Sequence, residues 1–220
     1  IVKNCSLSDD DLENKKSQLE RAIKRIKKKI DGLGSDIEDD IDENIRNAKN
    51  KIEDAVDSTV DKLKRYTEES VGWTTSEEEV TRNFKDRLHS LESRDVPHVL
   101  RDLCDVIRIR SKKALENFVG DVYDIMQRYL PEVETDDVLK SIKMSLDGFD
   151  ETIKISNNIK IEIKGVVDNI LYGNLGFING MMHKKKLQEL CYECIGKLQN
   201  IDASMYLSKI KTQKDEIIDM

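Results

Sequence analysis

Two cysteines three residues apart, Cys191 and Cys194 in the stretch "LQELCYECIGKL", are the residues whose type and spacing come closest to chemistry. That spacing serves a dithiol redox pair, half of a zinc site, or two anchors for disulfides reaching elsewhere in the chain. A thioredoxin-type pair sits at a helix N-terminus behind a strand, where free N–H groups lower the thiol pKa. Here both cysteines fall inside a helical pattern with Leu187, Leu190, Leu198 and Ile201. A zinc site needs four ligands in short clusters. Cys5 and Cys104 come singly, and His89, His98 and His183 lack ligand spacing. Residues three apart in one regular helix do not readily reach disulfide geometry, so the pair is expected to bond outward to Cys5 and Cys104. Both pairings are open, with Cys5–Cys194 and Cys104–Cys191 preferred. An even count of cysteines fits an oxidising compartment, and the competing reading is four reduced core cysteines in a cytosolic protein.

Other catalytic patterns are missing from the sequence. It has no Gly-rich phosphate loop, no G-x-S-x-G, no H-E-x-x-H and no EF-hand loop. Carboxylate runs such as "EEE" and "DD" abound, but with 37% of residues charged they read as solvated helix faces. A non-enzyme without cofactor or bound metal is the expectation. The triplet "NCS" makes Asn4 the glycosylation candidate. The sequence starts at Ile1 without Met, so a secreted chain freed of its signal peptide is expected, a trimmed chain being the plainer alternative.

The elements that must position these residues are helices. Of 220 residues, 38% are hydrophobic, and they recur at helical rather than alternating spacing. Two prolines and ten glycines leave few breaks, so helices should be long and connections short. A formal charge of −7 argues against nucleic acid as the partner, since binding a duplex takes a basic surface. No apolar run approaches the ~18 residues that would suggest a transmembrane segment.

From Leu19 the apolar positions run Leu19, Ile23, Ile26, Ile30, and a second stripe runs Ile37, Ile41, Ile45, Ala48, Ile52, Val56, Val60, Leu63. Between them lies "DGLGSDIE". Gly32 suits a left-handed helix end, and Ser35 with Glu38 makes a capping box. The expectation is a helical hairpin of roughly residues 10–31 and 36–69, turning at Gly32–Ser35. A continuous coiled coil is the alternative, because Leu33 keeps the register. Charge favours the hairpin. Lys15 to Lys29 holds eight bases and one acid, whereas Asp31 to Glu43 holds seven acids and no base. A fold at Gly32 would lay the one block beside the other and neutralise the "KRIKKK" run.

Farther on, "GWTTSEEEV" is a boundary with a capping box at Thr75–Glu78 or Ser76–Glu79. "SRDVPHVL" is expected to open a new helix, with Asp95 at its cap, Pro97 in its first turn and Cys104 on its buried face. Pro131 should end that helix. A further helix follows Thr135, "NIKIEIK" reads as helix rather than strand, and the remaining helices extend over residues 76–214. The fold class is therefore all-α: one domain over residues 1–220, a disulfide-pinned bundle of five to seven helices opening with the long hairpin. "YGNLGFINGMMHKKK" is the most irregular stretch. Leu175, Phe177 and Ile178 beside Lys184, Lys185 and Lys186 make it the candidate binding loop.

"IVKNC" at the start, the lone Cys104 and "CYEC" near the end, on an acidic helical chain of this size, together resemble the helical salivary proteins of blood-feeding mosquitoes, including the aegyptin-like group and the neutrophil-stimulating factor. The likeness is one of whole-chain design, and the acidic Gly-rich repeats of the aegyptin-like group are missing. It implies a secreted, extracellular saliva protein that modulates haemostasis or leukocyte and immune responses by binding a host protein or a leukocyte surface. Two other classes stand beside it. One is an amphipathic helical lipid carrier; against it, the Leu/Ile stripes are narrow and nearly free of aromatics, whereas interfacial helices favour wider faces with Trp or Phe. The other is an intracellular coiled-coil scaffold.

Overall fold

The apolar stripe of the N-terminal third never breaks. In a computed structural model of the chain, which describes residues 8–131 and 181–218, a single helix α1 runs Asp9–Glu69. The hairpin expected at Gly32–Ser35 does not form. Neither Gly32 nor Gly34 takes a positive φ, and both continue the right-handed helix. Two features outweigh the glycines' poor helix propensity of about 1 kcal/mol each. Ile26, Ile30, Leu33 and Ile37 keep a 4-3-4 rhythm straight through the gap. The charge blocks also find partners on other helices instead of on each other. Lys29 Nζ meets Asp121 at 2.7 Å, Arg110 pairs with Asp40, and Lys214 Nζ lies 3.0 Å from Glu38 and 2.8 Å from Asp42.

After α1, Thr75 organises the turn: its Oγ1 accepts from Gly72 N–H at 2.8 Å and donates to Ser70 O at 3.2 Å. Ser76 then caps α2 (Glu77–Ser90), its hydroxyl accepting from Glu79 N–H at 3.1 Å, as the capping box predicts. The new helix expected at Asp95 is instead a continuation. A π-turn, Leu91–Asp95, joins α2 to α3 (Val96–Tyr129) without leaving helical conformation. The reason is Pro97, which has no N–H and whose ring would press on the carbonyl four residues back in a regular helix. The wider turn, with Val96 N–H bonding Leu91 O, relieves that conflict. Helix α3 ends at Tyr129, before Pro131 as expected. Helices α4 (Met181–Gln199) and α5 (Ser204–Ile218) follow. The described residues contain these five α-helices, the π-turn and no strand.

The described residues fall into two compact units, with boundaries at Glu43/Asn44, Cys104/Asp105 and Thr212/Gln213. One takes α1 up to Glu43, α3 from Asp105 and the end of α5; the other takes the rest. The second unit has the denser core. Ile52, Leu63, Phe84, Leu88, Leu91, Leu187, Ile195, Leu198 and Leu207 are all essentially inaccessible there. Burying each such side chain contributes about 1.5–3 kcal/mol. Tyr66 and Phe84 meet edge-to-face with ring centroids 6.4 Å apart, and the Arg87 guanidinium lies 5.8 Å from the Tyr66 ring centre. In the first unit the buried apolar residues are fewer: Ala22, Ile37, Ile41, Ile107, Val119 and Val122.

Candidate functional site

Cys191 and Cys194 lie on the buried face of α4, neither with measurable exposure. That face meets the end of α1. Gln188 Nε2 donates to Thr67 O at 3.1 Å, and Tyr192 OH donates to Glu68 Oε1 at 3.1 Å. Burial pushes the Cys191 thiol up to about 11, against the opposing pull of a hydrogen bond with the Thr67 side chain. Burial and the neighbouring Cys191 and Glu193 push Cys194 up to about 12. With both values raised by burial, the two sulfurs stay thiols at neutral pH, which disfavours nucleophilic attack by either. Among the described residues no disulfide links Cys104, Cys191 and Cys194 to one another, and the bond expected to Cys5 lies outside those residues. Both sulfurs share the buried face of α4 with Leu187, Leu190, Ile195 and Leu198, where they pack as small apolar groups. Cys104, expected on the buried face, is half-buried. Among the described residues no group of three His, Cys, Asp or Glu side chains converges as a metal site.

The expected binding loop divides. Leu175, Phe177 and Ile178 lie outside the described residues, as do Asn4 and Cys5. Lys184, Lys185 and Lys186 belong to the first turns of α4, so they project from a helix and not from a loop. Lys186 pairs with Glu189 at 3.7 Å, and His183 Nε2 lies 3.1 Å from Thr75 O. Beside the π-turn, Lys62, Arg87 and Arg94 line a cleft of about 350 Å³ with Asp86 and Asp95. Its charge is largely answered from within: Arg94 Nε meets Asp95 at 2.8 Å and Arg87 Nε donates to Asn83 at 2.8 Å.

The surface that stands out is on α1. Leu12, Leu19, Ile23 and Ile30 are 54%, 45%, 45% and 52% exposed, although they belong to the stripe that is buried from Ile37 onward. At 3.6 residues per turn these four fall within a sector ~40° wide, a straight apolar ridge over five turns of helix. Lys16 and Lys27 border it, with Lys24 farther round the same side. All three lysines are exposed. Glu20 and Asp31 lie between Lys27 and Lys24, so the margin is of mixed charge, and an apolar seam at heptad-like spacing of this kind suits a second amphipathic helix. Sequence reasoning missed this ridge by assigning the stripe to a hairpin partner. The signal was there in Leu33, which keeps the register across the glycines and so removes the hairpin partner expected for the stripe. The chain matches no family model, no curated protein and no solved structure.

Proposed function

We propose that this chain is a non-enzymatic binding protein that docks a partner protein on the ridge Leu12–Leu19–Ile23–Ile30. The observation that carries the reading is the half exposure of four large apolar side chains in one straight file. A second amphipathic helix is the complementary occupant, its Leu or Ile side chains meeting the seam and flanking carboxylates of its own reaching Lys16 and Lys27, the charges nearest the ridge. The biological setting we propose is that of the salivary resemblance: a secreted effector acting on a host protein or leukocyte surface. As no disulfide links Cys104, Cys191 and Cys194 to one another, the secreted setting rests on that resemblance and on the Asn4 sequon.

The test uses the exposed positions. The double variant Ile23→Glu, Ile30→Glu places two carboxylates on the ridge, where they displace no buried contact, so helicity and melting temperature should hold. Immobilised wild-type protein should retain a host plasma or leukocyte-surface protein that the double variant does not. Retention of the same protein by the double variant sinks the ridge reading. Its loss in a Lys184→Ala, Lys185→Ala, Lys186→Ala variant would move the site to α4. A glycan at Asn4 in protein from its natural source checks the secreted setting.

A further inference from the structure

On another face of α1, roughly a third of a turn from the ridge, a groove of about 790 Å³ runs between α1 and α3 within the first unit. Leu33, Ala114, Phe118 and Ile125 give it an apolar wall, each only half-buried. The size lies within the ~300–1,000 Å³ common for small-molecule sites. We propose that this groove is a binding site for a soluble single-chain amphiphile with an anionic head, of the class of a free fatty acid.

Charge sets the sign of the head group. Three bases rim the groove: Arg25, Lys28 and Lys29. Lys29 is neutralised by Asp121 at 2.7 Å, and the Arg25 guanidinium lies over the Tyr129 ring, 5.2 Å from its centre. Lys28 has no ion-pair partner among the described residues, and it reaches the rim on a flexible stem. Asp36, also on the lining, offsets one of Arg25 and Lys28, which leaves a net charge of one base, so the rim favours one negative charge over a neutral or cationic head.

Gly32 is the second observation. A Cβ added there would meet nothing within 4 Å, and its backbone is ordinary right-handed helix. Neither packing nor conformation asks for glycine, and an alanine would favour the helix by about 1 kcal/mol. Yet Gly32 lines the groove, and the missing side chain is what keeps that stretch of the lining open. The apolar wall then takes a hydrocarbon tail and Lys28 takes the carboxylate. The site is distinct from the ridge, so it goes beyond the protein-docking reading and stands or falls apart from it.

The open space at Gly32 suits the test, because Gly32→Leu sends an isobutyl group into the groove from a Cβ that meets no neighbour within 4 Å. Full-length protein is titrated with a fluorescent fatty-acid analogue, then competed with oleate and with methyl oleate. Wild type should bind the analogue at one site, released by oleate and about tenfold less readily by the uncharged ester. Gly32→Leu should weaken binding at least about tenfold while keeping or raising the melting temperature, and Lys28→Glu should weaken it several-fold. Ile23→Glu on the ridge should leave it unchanged. Failure of wild type to bind overturns the proposal, as does equal binding by Gly32→Leu. Binding to phosphatidylserine vesicles that neither groove variant alters would assign the affinity to a membrane-facing surface and equally overturn it.

Discussion

Lys29 on α1 donates to Asp121 on α3 at 2.7 Å, across ninety-two positions of the chain. This contact explains why two opposed charge blocks can share one straight helix. Lys29 before the glycines is answered by Asp121, and Glu38, Asp40 and Asp42 after them by Lys214 and Arg110, so these charges need no fold at the glycines to find partners. Both side chains remain about half exposed. We therefore expect Asp121→Lys to cost about 0.5–1 kcal/mol and the swapped pair Lys29→Asp, Asp121→Lys to recover most of it. Urea unfolding of the four proteins measures the coupling, which should shrink at high salt. No coupling at low salt would remove the pair from the account of why α1 is straight.

Continuity of α1 has its own consequence for stability. Gly32→Ala and Gly34→Ala should each stabilise by roughly 0.5–1 kcal/mol, because neither new methyl meets a neighbour and both favour helix. Thermal melts should rise by about 2–4 °C for each kcal/mol gained in a chain of this size. A fall in stability would mean that the chain bends at this point after all.

The buried thiols predict both slow labelling and loss of stability at alkaline pH. Burial raises Cys191 to about 11 and Cys194 to about 12, and it raises Tyr206 to about 12 as well. Raised folded-state values mean that the unfolded chain deprotonates first. The contribution is therefore complete below the unfolded values near 9 and 10 and is lost as pH climbs through about 11 to 12. Urea midpoints should be flat from neutral pH to about 9 and fall above it. At neutral pH, iodoacetamide should modify Cys191 and Cys194 at least roughly a hundredfold more slowly in the folded protein than in urea. Rapid labelling of either would show that α4 opens readily from α1.

Phe84 is fully buried and packs edge-to-face on Tyr66 in the denser of the two units. Phe84→Ala should cost about 3–5 kcal/mol, chiefly as lost transfer energy and a cavity. Leu12→Ala on the ridge should change stability by no more than about 0.5 kcal/mol. If the two losses proved similar, the contrast between the buried core around Phe84 and the open ridge on α1 would be wrong.

How much of this the sequence disclosed depended on the range of the interaction. Period and caps are local, and they were legible: helices throughout the described residues, Ser76 as a cap, Pro131 as a stop. Gly32 and Gly34 misled because their cost is also local, whereas what overrides it comes from Asp121, Arg110 and Lys214, far along the chain. Spacing shows that Cys191 and Cys194 share a helix face with Leu187, Leu190 and Leu198, but only the fold shows that the end of α1, at Thr67, packs against that face. Lys184–Lys186 were assigned to a loop because the glycine-rich residues before them obscured where α4 begins.

The apolar positions Phe84, Leu88, Leu91, Val96, Leu100, Leu103 and Ile107 are all buried, at spacings of four and three except for a single five between Leu91 and Val96. That five is the π-turn written in one dimension, the mark of one residue inserted into an otherwise regular reading frame. Removing a residue from Leu91–Asp95 would close the frame to an ordinary helix. It would also swing every later side chain by about a quarter turn and bring Pro97 back against a carbonyl it cannot bond. The proline and the extra residue therefore lock each other in place: each makes the other's loss more damaging than its presence, and neither can be edited out alone.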